Sequence, residues 1–394
     1  MKILVLNAGS SSLKCQYFIH EKSVASLIIE KIGEEESTTT LRYAGQKTDH
    51  LSTVKNHHQA IETLFTLLKK FHIIAEVSEL NAVGHRVVHG GPHFSKPTLV
   101  TAEVIEQIRS LIPLAPLHNP SNLEGIEIIA NTYPALKQVA VFDTAFHQTM
   151  PEYAARYPLP YAFYEKAHIR RYGFHGTSHA YVAKEAAALL HQPLEALNLI
   201  TLHLGNGASA AAIQSGKCID TSMGLTPLEG LMMGTRSGDI DPAIISYLVR
   251  TQKMDIEAID KMLNRESGLK GICGSNDMRD IIKKVDNGDE KSQLALEMYV
   301  YRIKKYIGAY TASLGYVDAL VFTGGIGEHA SRIRQMVCEG LEYTFGIRID
   351  TEKNNAVKSK NSAVQTAESK TAILVISTNE ELEIAKQTEA AISA

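Results

Sequence analysis

An apolar strand, a turn of small residues and a second apolar strand occur in the first half of this chain and again in the second half. The first copy spans Lys2–Tyr17 and the second spans Leu199–Ile213. Apolar runs of this length, bounded by glycine and serine, are typical of buried strands that a tight turn joins into a hairpin. Helical patterns alternate with strand patterns elsewhere, which is typical of an α/β protein. The sequence therefore predicts an α/β fold with two halves of similar design.

The length of the chain favours the same division. With 394 residues, the chain exceeds the roughly 250 to 300 residues at which a single core usually stops growing, so we expect two domains. We place the first domain at residues 1–148, joined by a C-terminal helix at 379–394, and the second domain at 149–378. The segment Met150–Arg171, rich in proline and tyrosine, is predicted to be irregular and to cross between the domains. The segment Glu352–Lys370 is predicted to be polar surface.

Local signals predict where several helices begin and end. Ser121–Glu124 has the pattern of a capping box, and so does Thr378–Glu381. Asp241–Pro242 is typical of an N-cap followed by proline at the first helical position. The longest predicted helix stops at Gly315 and carries apolar residues three or four positions apart. Its predicted buried stripe consists of Leu296, Val300, Ile303, Ile307, Tyr310 and Leu314.

Charge and cysteine usage argue against several kinds of partner. The net charge is -3 and lysine and arginine form no block, so we predict no surface for nucleic acid or for an acidic membrane. No stretch approaches the roughly 20 apolar residues that a membrane helix needs. The four cysteines are scattered, which favours neither a disulfide framework nor a zinc ribbon. These features favour a cytoplasmic protein without nucleic-acid or membrane partners.

Three turns of small residues, each after an apolar strand, are the strongest functional signal. They are Asn7–Ser12, Gly205–Ser209 and Thr323–Glu328, and Lys14 follows the first. Small residues let backbone N–H groups approach an anion closely, as phosphate binding requires. The second turn matches the spacing of a dinucleotide fingerprint, but a strand follows it where that fingerprint needs a helix. The turns predict nucleotide binding, with plain tight turns as the alternative.

Two arginines and one aspartate stand out by their sequence settings. Arg86 and Arg236 lie within glycine-rich turns, and a guanidinium group suits a carboxylate or a phosphate. The alternative is a simple ion pair with a nearby aspartate such as Asp239. Asp143 directly follows an apolar strand, where α/β folds deliver residues to a site. A helix N-cap is the alternative for Asp143.

The histidines form a third group of candidates. Those beside glycine or proline turns are His85, His89, His118, His147, His175, His179 and His203. His175 and His179 are four residues apart and could share a zinc ion on one helix face. However, Gly176 stands where a zinc protease of the HExxH type carries its catalytic glutamate. A polar network or an anion contact is therefore favoured over a metal site.

Taken together, these segments resemble the acetokinase family, which comprises acetate, propionate and butyrate kinases within the actin-like ATPase and sugar kinase superfamily. The motifs that carry the resemblance are NAGSSSLK, GHRVVHGG, LAPLHNP, VFDTAFH, YGFHGTSH, HLGNGAS, GTRSGDIDP, FTGGIGE and TNEE, in this order. The resemblance covers nearly the whole chain. It implies two similar domains of the actin and hexokinase type (ribonuclease H-like) with an ATP cleft between them. It also implies Mg²⁺, which Mn²⁺ can replace, and a homodimer.

The resemblance assigns roles to individual positions. The catalytic positions are Asp143, His175 and Arg236. The acid-binding positions are Arg86, Val88, Leu117, His118, Phe174 and Pro227. The nucleotide positions are Ser10, Ser12, Lys14, His203, Leu204, Gly205, Asn206, Gly207, Asp277, Met278, Arg279, Gly324, Gly325, Ile326, Gly327 and Glu328. The metal positions are Asn7 and Glu380, and His329 stands where many members carry asparagine.

The implied reaction is the reversible transfer of a phosphoryl group from ATP to acetate, with ADP and acetyl phosphate as products. Acetate, like a side-chain carboxyl group with a pKa of about 4, is already ionised at pH 7, so it needs no general base. Arg86, Arg236 and His175 would instead neutralise charge between the two anions. Valine at position 88 favours acetate, whereas alanine there would leave room for propionate. The alternatives are a propionate kinase, a non-catalytic switch of the actin type and a histidine metalloenzyme.

Overall fold

The computed structural model describes residues 1–358 and 361–393, and it divides into two compact units. The first unit consists of Met1–Phe146 and the segment from Asn379 onward, and the second consists of His147–Thr378. The segment Met150–Arg171 therefore belongs wholly to the second unit. Parts of two predicted segments fall outside the described residues: positions 359 and 360 of the polar stretch and position 394 of the C-terminal helix.

The first unit is built on one eight-stranded sheet. Its strands are β1 (Lys2–Gly9), β2 (Ser12–Ile19), β3 (Lys22–Glu30), β4 (Ser37–Tyr43), β5 (Gln46–Ser52), β6 (Ala82–Val87), β7 (Thr98–Leu99) and β8 (Gln138–Phe142). Their order across the sheet is β5-β4-β3-β2-β1-β6-β8-β7. Strands β1, β6 and β8 are parallel, and the remaining neighbours are antiparallel. The parallel strands therefore end at the same edge of the sheet.

Helices cover both faces of this sheet. They are α1 (His57–Lys70), α2 (Ala102–Ser110), α3 (Asn119–Thr132) and the C-terminal helix (Glu380–Ser393). Side chains alternate along β1, so Leu4 packs with Leu64 of α1 while Ile3 packs with Ile384 of the C-terminal helix. The C-terminal helix lies so close to β6 that a Cβ atom on Gly84 would stand 2.3 Å from Thr388 Oγ1. A larger residue at position 84 would push this helix off the sheet.

The second unit repeats this sheet design. Its strands are β9 (Asn198–Leu204), β10 (Ala208–Gln214), β11 (Lys217–Thr221), β12 (Ala319–Thr323), β13 (Ser362–Ala363) and β14 (Ala372–Val375), in the order β11-β10-β9-β12-β14-β13. As in the first sheet, a run of antiparallel strands, here β11, β10 and β9, is followed by two strands parallel to the last of them, β12 and β14. A two-residue strand again pairs antiparallel at the far edge. The prediction of an α/β protein with two halves of similar design is confirmed.

The helices of the second unit are more numerous and vary more in length. They are α4 (Glu152–Ala155), α5 (Tyr161–Ala167), α6 (Gly176–Leu190), α7 (Ala243–Gln252), α8 (Ile256–Arg265), α9 (Gly268–Cys273), α10 (Met278–Asp286), α11 (Glu290–Leu314), α12 (Gly324–His329), α13 (Ser331–Cys338), α14 (Glu342–Phe345) and α15 (Thr351–Ala356). Helix α11 is the predicted long helix. All six residues of its predicted stripe are buried, and Gly315 follows its last turn.

Both predicted capping boxes are wrong. Helix α3 begins before Ser121, because Pro120 occupies its first turn and its N-cap is His118. The C-terminal helix begins after Asn379, whose side-chain oxygen accepts a hydrogen bond of 3.0 Å from the N–H of Leu382. Thr378 Oγ1 instead lies 2.8 Å from Ser178 Oγ. The N-cap of α7 is Pro242, one position later than predicted, although the Asp241 carboxylate accepts the N–H of Ala243 at 2.9 Å.

Two other segments are more helical than the sequence predicted. The stretch Met150–Arg171, predicted to be irregular, contains α4 and α5. The third small-residue turn, Thr323–Glu328, is largely the short helix α12 directly after β12. Among the described residues, the helices are too short or too polar to span a lipid bilayer.

Candidate active site

The first group of candidate residues lies at the carboxyl ends of the parallel strands of the first unit. Arg86 lies near the end of β6, and Asp143 directly follows the adjacent strand β8. Arg86 donates from Nε to Asp143 Oδ1 at 3.1 Å and from Nη2 to Oδ2 at 2.7 Å. The side chain of Asp143 is only 2% exposed and that of Arg86 is 23% exposed. The carboxylate therefore fixes one edge of the guanidinium group, and Asp143 is an anchor rather than a helix N-cap.

Glu380, at the start of the C-terminal helix, carries an acidic group next to this ion pair. Removal from solvent raises the pKa of Glu380 to about 7. Nearby positive charge from Arg86 lowers this pKa, and negative charge from Asp143 raises it. Lys14, which pairs with Asn7 across the β1–β2 hairpin, also lowers it. Glu380 is thus a carboxyl group that lacks full compensation for its charge.

Two buried asparagines of α3 hold the backbone that follows β6. Asn122 accepts the N–H of Val88 at 3.0 Å and donates to the carbonyl of Ala8 at 2.7 Å. Asn119 accepts the N–H of His89 at 3.0 Å and donates to its carbonyl at 3.0 Å. These bonds tie the turn after β6 to the end of β1. The side chain of Val88 is buried at this turn.

The second group of candidates lies in the second unit, around the hairpin of β9 and β10. His175 precedes α6 in the left-handed conformation, with φ 57°, and its ring stacks on that of His203 at a centroid distance of 4.3 Å. His175 Nδ1 lies 2.9 Å from Ser209 Oγ, and His179 Nε2 lies 2.8 Å from the same oxygen. His179 Nδ1 lies 2.7 Å from Thr201 Oγ1. Both ring nitrogens of His179 are thus hydrogen-bonded, which leaves none for the zinc ion that the sequence had suggested as an alternative.

Arg236 lies on the long segment between β11 and α7. Its Nη1 atom donates to the carbonyl of Pro227 at 3.3 Å and lies 3.7 Å from the sulfur of Met233. Within the described part of the chain, Arg236 forms no ion pair with a carboxylate, and burial lowers the pKa of its guanidinium group. The predicted alternative, a pair with Asp239, is wrong. Asp239 instead accepts the Tyr306 hydroxyl at 2.7 Å.

Gly207 lies beside both Arg236 and His175 in the second unit. A Cβ atom at this position would stand 3.5 Å from Arg236 Nη1 and 3.4 Å from the Cε1 atom of His175. A side chain here would therefore occupy the space that the two cationic or hydrogen-bonding groups face. Gly234, two residues before Arg236, packs more tightly, because its Cβ would lie 2.1 Å from Asn206 Oδ1. Close packing therefore requires glycine at position 234, whereas a Cβ atom at position 207 would make ordinary contacts with both groups.

A cavity of about 550 Å³ adjoins this hairpin in the second unit. Its lining residues are Gly205, Asn206, Asn276, Asp277, Met278, Arg279, Ile282, Gly325, Ile326, His329 and Ala330. Asp277 and Arg279 form an ion pair of 2.6 Å at its rim. Glu328, outside the lining, accepts the N–H groups of Gly324 at 3.1 Å and of Thr378 at 3.2 Å. It therefore fixes the start of α12 at the cavity wall.

Comparison with known proteins decides the family. The model of the acetokinase family matches residues 2–386. The chain belongs to the acetokinase family. A protein named acetate kinase from Sulfurovum sp. (strain NBC37-1) is 77% identical over 393 residues, which cover 100% of this chain and 99% of that protein.

Solved structures agree with this family membership. An acetate kinase of Porphyromonas gingivalis has a TM-score of 0.94 and 44% identity, with 99% of each chain covered. A propionate kinase of Francisella tularensis subsp. tularensis SCHU S4 has a TM-score of 0.92 and 44% identity, with 98% of each chain covered. The acetokinase fold therefore accounts for the whole chain, and relatives with either acid in their name share it.

Not every position predicted for substrate or nucleotide binding in this acetokinase chain lies at the two groups of candidate residues or in the lining of the cavity. Leu204, Gly324 and Gly327 are buried beside the cavity without lining it. Ser10 lies exposed at the tip of the first hairpin, and Leu117 is also largely exposed.

Several residues of the candidate site were not singled out from the sequence. Within the groups, these are Asn119, Asn122, Ser178, Thr201 and Ser209, and at the cavity they are Asn276, Ile282 and Ala330. Asn119, Ser178 and Ser209 lie inside the quoted motifs, and that location was the only signal the sequence offered for them.

Proposed function

We propose that this acetokinase chain transfers the γ-phosphoryl group of ATP reversibly to acetate, forming acetyl phosphate and ADP. The observation that carries this proposal is the position of Arg236 and His175 around Gly207. A partly buried guanidinium group without a carboxylate partner needs an anion. A glycine turn that offers backbone N–H groups suits a phosphate. The name of the Sulfurovum relative supports acetate as the acceptor.

Arg86 is the proposed partner of the acid. Asp143 occupies its Nε atom and one hydrogen of Nη2, so Nη1 and the second Nη2 hydrogen stay available for a carboxylate or phosphoryl oxygen. Acetate is already ionised at pH 7, so the nucleophile needs no base. Asp143 therefore orients Arg86 and removes no proton. Arg86, Arg236 and His175 together lower the repulsion between the two anions in the transition state.

The cavity beside the β9–β10 hairpin is the proposed site of the nucleoside part of ATP. It combines apolar surface from Ile282 and Ile326 with polar groups from Asn276 and Asp277. A mostly apolar wall with a few polar groups is typical of cofactor sites. The turn at Gly205 opens into this cavity, so phosphates placed there would face Gly207 and Arg236.

We propose that a magnesium ion bound with ATP is held by Glu380 and Asn7, and that Mn²⁺ can replace it. The residues fit such a cation, because Glu380 is a carboxyl group whose charge Arg86 and Lys14 only partly offset. Magnesium commonly uses one or two protein oxygens and fills the rest of its shell with water and phosphate. When bound, the ion supplies charge neutralisation at the phosphates.

Metal affinity is expected to fall as the pH decreases through 7. Glu380 must be ionised to bind the cation, and its pKa of about 7 means that protons compete below this pH. The dissociation constant of Mn²⁺ in the presence of ADP should rise about tenfold between pH 8 and pH 6. Electron paramagnetic resonance of free Mn²⁺ measures it directly. Glu380→Gln is the matched control and reports the pH dependence of the nucleotide itself; an equal dependence in both proteins would contradict the role of Glu380.

The preference for acetate over propionate is expected to depend on Val88. Replacing it with alanine removes two methyl groups from a buried side chain at the turn that Asn122 holds. The ratio of kcat/KM for propionate to that for acetate should rise about tenfold, which is typical for one methylene in an apolar pocket. Val87→Ala is the control, because that side chain packs in the core with Phe94 and Leu123. A change of the ratio in the control alone would remove Val88 from the acid site.

We further propose that two copies of the chain associate through α7. Every residue of this helix is at least partly exposed. Three of these residues are large and apolar: Ile244, Tyr247 and Val249 are 40%, 57% and 42% exposed. Several large apolar side chains exposed on one helix are typical of a surface covered by a partner. Sedimentation analysis tests the proposal, because a species of single-chain mass would contradict it.

The cytoplasm is the proposed location. All four cysteines are free thiols, and Cys15, Cys218 and Cys338 are buried. Unpaired cysteines are typical of reducing compartments. The proposed co-substrate ATP agrees with the same location.

The decisive experiment is hydroxamate trapping of acyl phosphate by purified protein given ATP, Mg²⁺ and acetate. Formation of acetohydroxamate supports the proposal. Binding of ATP without any product would favour a nucleotide switch of the actin type. Stoichiometric zinc in the purified protein would favour a histidine metalloenzyme.

A further inference from the structure

We propose that Thr201, His179 and Ser209 form a hydrogen-bond chain that keeps the imidazole proton of His175 on Nε2, the nitrogen that faces the transferred phosphoryl group. This inference rests on the proposed function for the identity of that group. The chain itself consists of residues that the sequence did not assign to the reaction. Its members are positioning residues, because they act on the reaction through His175.

The hydrogen-bond chain is continuous and lies inside the second unit. Thr201 of β9 lies 2.7 Å from His179 Nδ1, and His179 Nε2 lies 2.8 Å from Ser209 Oγ of β10. Ser209 Oγ lies 2.9 Å from His175 Nδ1. Thr201, His179 and Ser209 are completely buried. Solvent therefore cannot supply a missing donor or acceptor to these three side chains.

Counting the available protons determines which group donates in each hydrogen bond of this hydrogen-bond chain. Within the described residues, the Thr201 hydroxyl has His179 Nδ1 as its hydrogen-bonding partner and no second one. If this hydroxyl accepted a proton from Nδ1, its own hydrogen would be buried without an acceptor, which is costly. Thr201 is therefore the donor, and His179 Nδ1 is the acceptor.

With Thr201 as the donor, the proton positions on His179 and then on His175 follow. Burial lowers the pKa of His179 well below its usual value, and the nearby rings of His147 and His203 lower it further. A neutral His179 carries one N–H proton, which must lie on Nε2 and is donated to Ser209 Oγ. The Ser209 hydroxyl can then donate only to His175 Nδ1. With Nδ1 acting as an acceptor, His175 carries its proton on Nε2.

The position of His175 makes this choice matter for the reaction. Nε2 would lie 3.5 Å from a Cβ atom on Gly207, the glycine that Arg236 also approaches. A protonated Nε2 donates a hydrogen bond to a phosphoryl oxygen, whereas a bare Nε2 would present its lone pair to a negatively charged group. The stacking of His175 on His203, with rings 22° from parallel, limits rotation of the ring. His203 is itself hydrogen-bonded through Nδ1 to Ser178 Oγ at 2.8 Å.

Nitrogen-15 NMR of histidine-labelled protein without substrates tests the assignment. Long-range ¹H–¹⁵N correlations distinguish the two neutral forms of a histidine, and His175→Gln identifies the signals of His175. At pH 7 we expect Nε2 to be protonated and Nδ1 to be bare. A wild-type spectrum with the proton on Nδ1, or on both nitrogens, would overturn the proposal. Because no substrate is present, a failure to form acyl phosphate would count against the proposed function alone.

Two substitutions then test the role of the chain. In Thr201→Val, His179 Nδ1 lacks a hydrogen-bonding partner whether or not it carries the proton, so His175 should show both neutral forms. The kcat should then fall about twofold, in proportion to the lost population of His175 with its proton on Nε2. Ser209→Ala removes the last bond, and kcat should fall about tenfold with little change in either KM. Thr201→Ser should restore the single form. Unaltered His175 signals in Thr201→Val would contradict the chain.

Thr221→Val is the matched control for these substitutions. Thr221 is also completely buried in the same sheet, and its hydroxyl donates to the carbonyl of Ala210 at 2.9 Å. This variant should lose stability while the His175 signals stay as in the wild type. If Thr221→Val changed them too, the effect of Thr201→Val would be general loosening of the sheet. If Thr201→Val does not fold, the wild-type spectrum alone decides the direction.

Discussion

Arg236→Ala is expected to lower kcat about a thousandfold, the range typical of an arginine that stabilises a transferring phosphoryl group. The KM for ATP should change by no more than about threefold, because this arginine acts on charge that develops in the transition state. The structural reason is that its guanidinium group lacks a carboxylate partner within the described residues and sits beside Gly207. Steady-state kinetics in the direction of acetyl phosphate formation measure both constants.

Two further variants sharpen this test. Arg236→Lys keeps the charge but loses the planar fork, so it should recover only part of the lost kcat. Arg265→Ala removes an exposed arginine from the last turn of α8 and should leave kcat as in the wild type. An Arg236→Ala enzyme with normal kcat would remove this residue from the mechanism. A large increase in the KM for ATP alone would assign it to nucleotide binding.

Asp143→Ala is expected to damage both catalysis and folding. The change leaves Arg86 as a mostly buried cation without its bidentate partner, and losing one partner of such a pair typically costs about 3 kcal/mol of unfolding free energy. The freed guanidinium group moves away from the acid, and displacement of about 1 Å can lower kcat about a hundredfold. Urea unfolding and steady-state kinetics measure the two losses.

A double-mutant cycle separates these two effects. Arg86→Ala with Asp143→Ala leaves no unpaired charge, so the double variant should be less destabilised than the sum of the single variants. Its kcat should stay low, because the acid has lost its cation. Asp143→Asn tests the alternative that Asp143 removes a proton. A base would lose all function as the amide, whereas an anchor for Arg86 should keep part of it through one remaining hydrogen bond.

The parts of the fold that were predicted correctly depend on local patterns. The stripe on α11 follows from residues three and four positions apart, and both hairpins follow from apolar runs around small residues. The capping boxes failed because several residues in a row could serve as caps. Helix α3 begins earlier than predicted because Pro120, with its fixed φ angle, fits the first turn after the N-cap His118. The C-terminal helix is capped by the side-chain oxygen of Asn379. The types of the long elements were therefore predictable, whereas the first residues of helices and the short helices α4, α5 and α12 were not.

In the candidate site too, some residues could be selected from the sequence, whereas the contacts between them could not be predicted. Arg86 and Asp143 were both selected from their positions at turns and strand ends, but their pairing depends on β6 and β8 being neighbours in the sheet. The partner of Asp239 turned out to be Tyr306, which belongs to a distant helix. Thr201 looks like any other residue of a buried strand until His179 is placed against it. Contacts between residues far apart in the chain need the fold before they can be recognised.

The location of the C-terminal helix has a consequence for synthesis on the ribosome. This helix covers the face of the first sheet that carries Ile3, Val5 and Val141, yet the entire second unit is translated before it. Domains generally fold as they emerge from the exit tunnel, but this one keeps an apolar face open until the C-terminal helix is made. Glu380 arrives with the same helix, so a nascent or truncated chain lacks both the cover of its first core and the proposed metal ligand. Chaperones that shield apolar surface are therefore expected to hold the nascent first unit until the C-terminal helix has been synthesised.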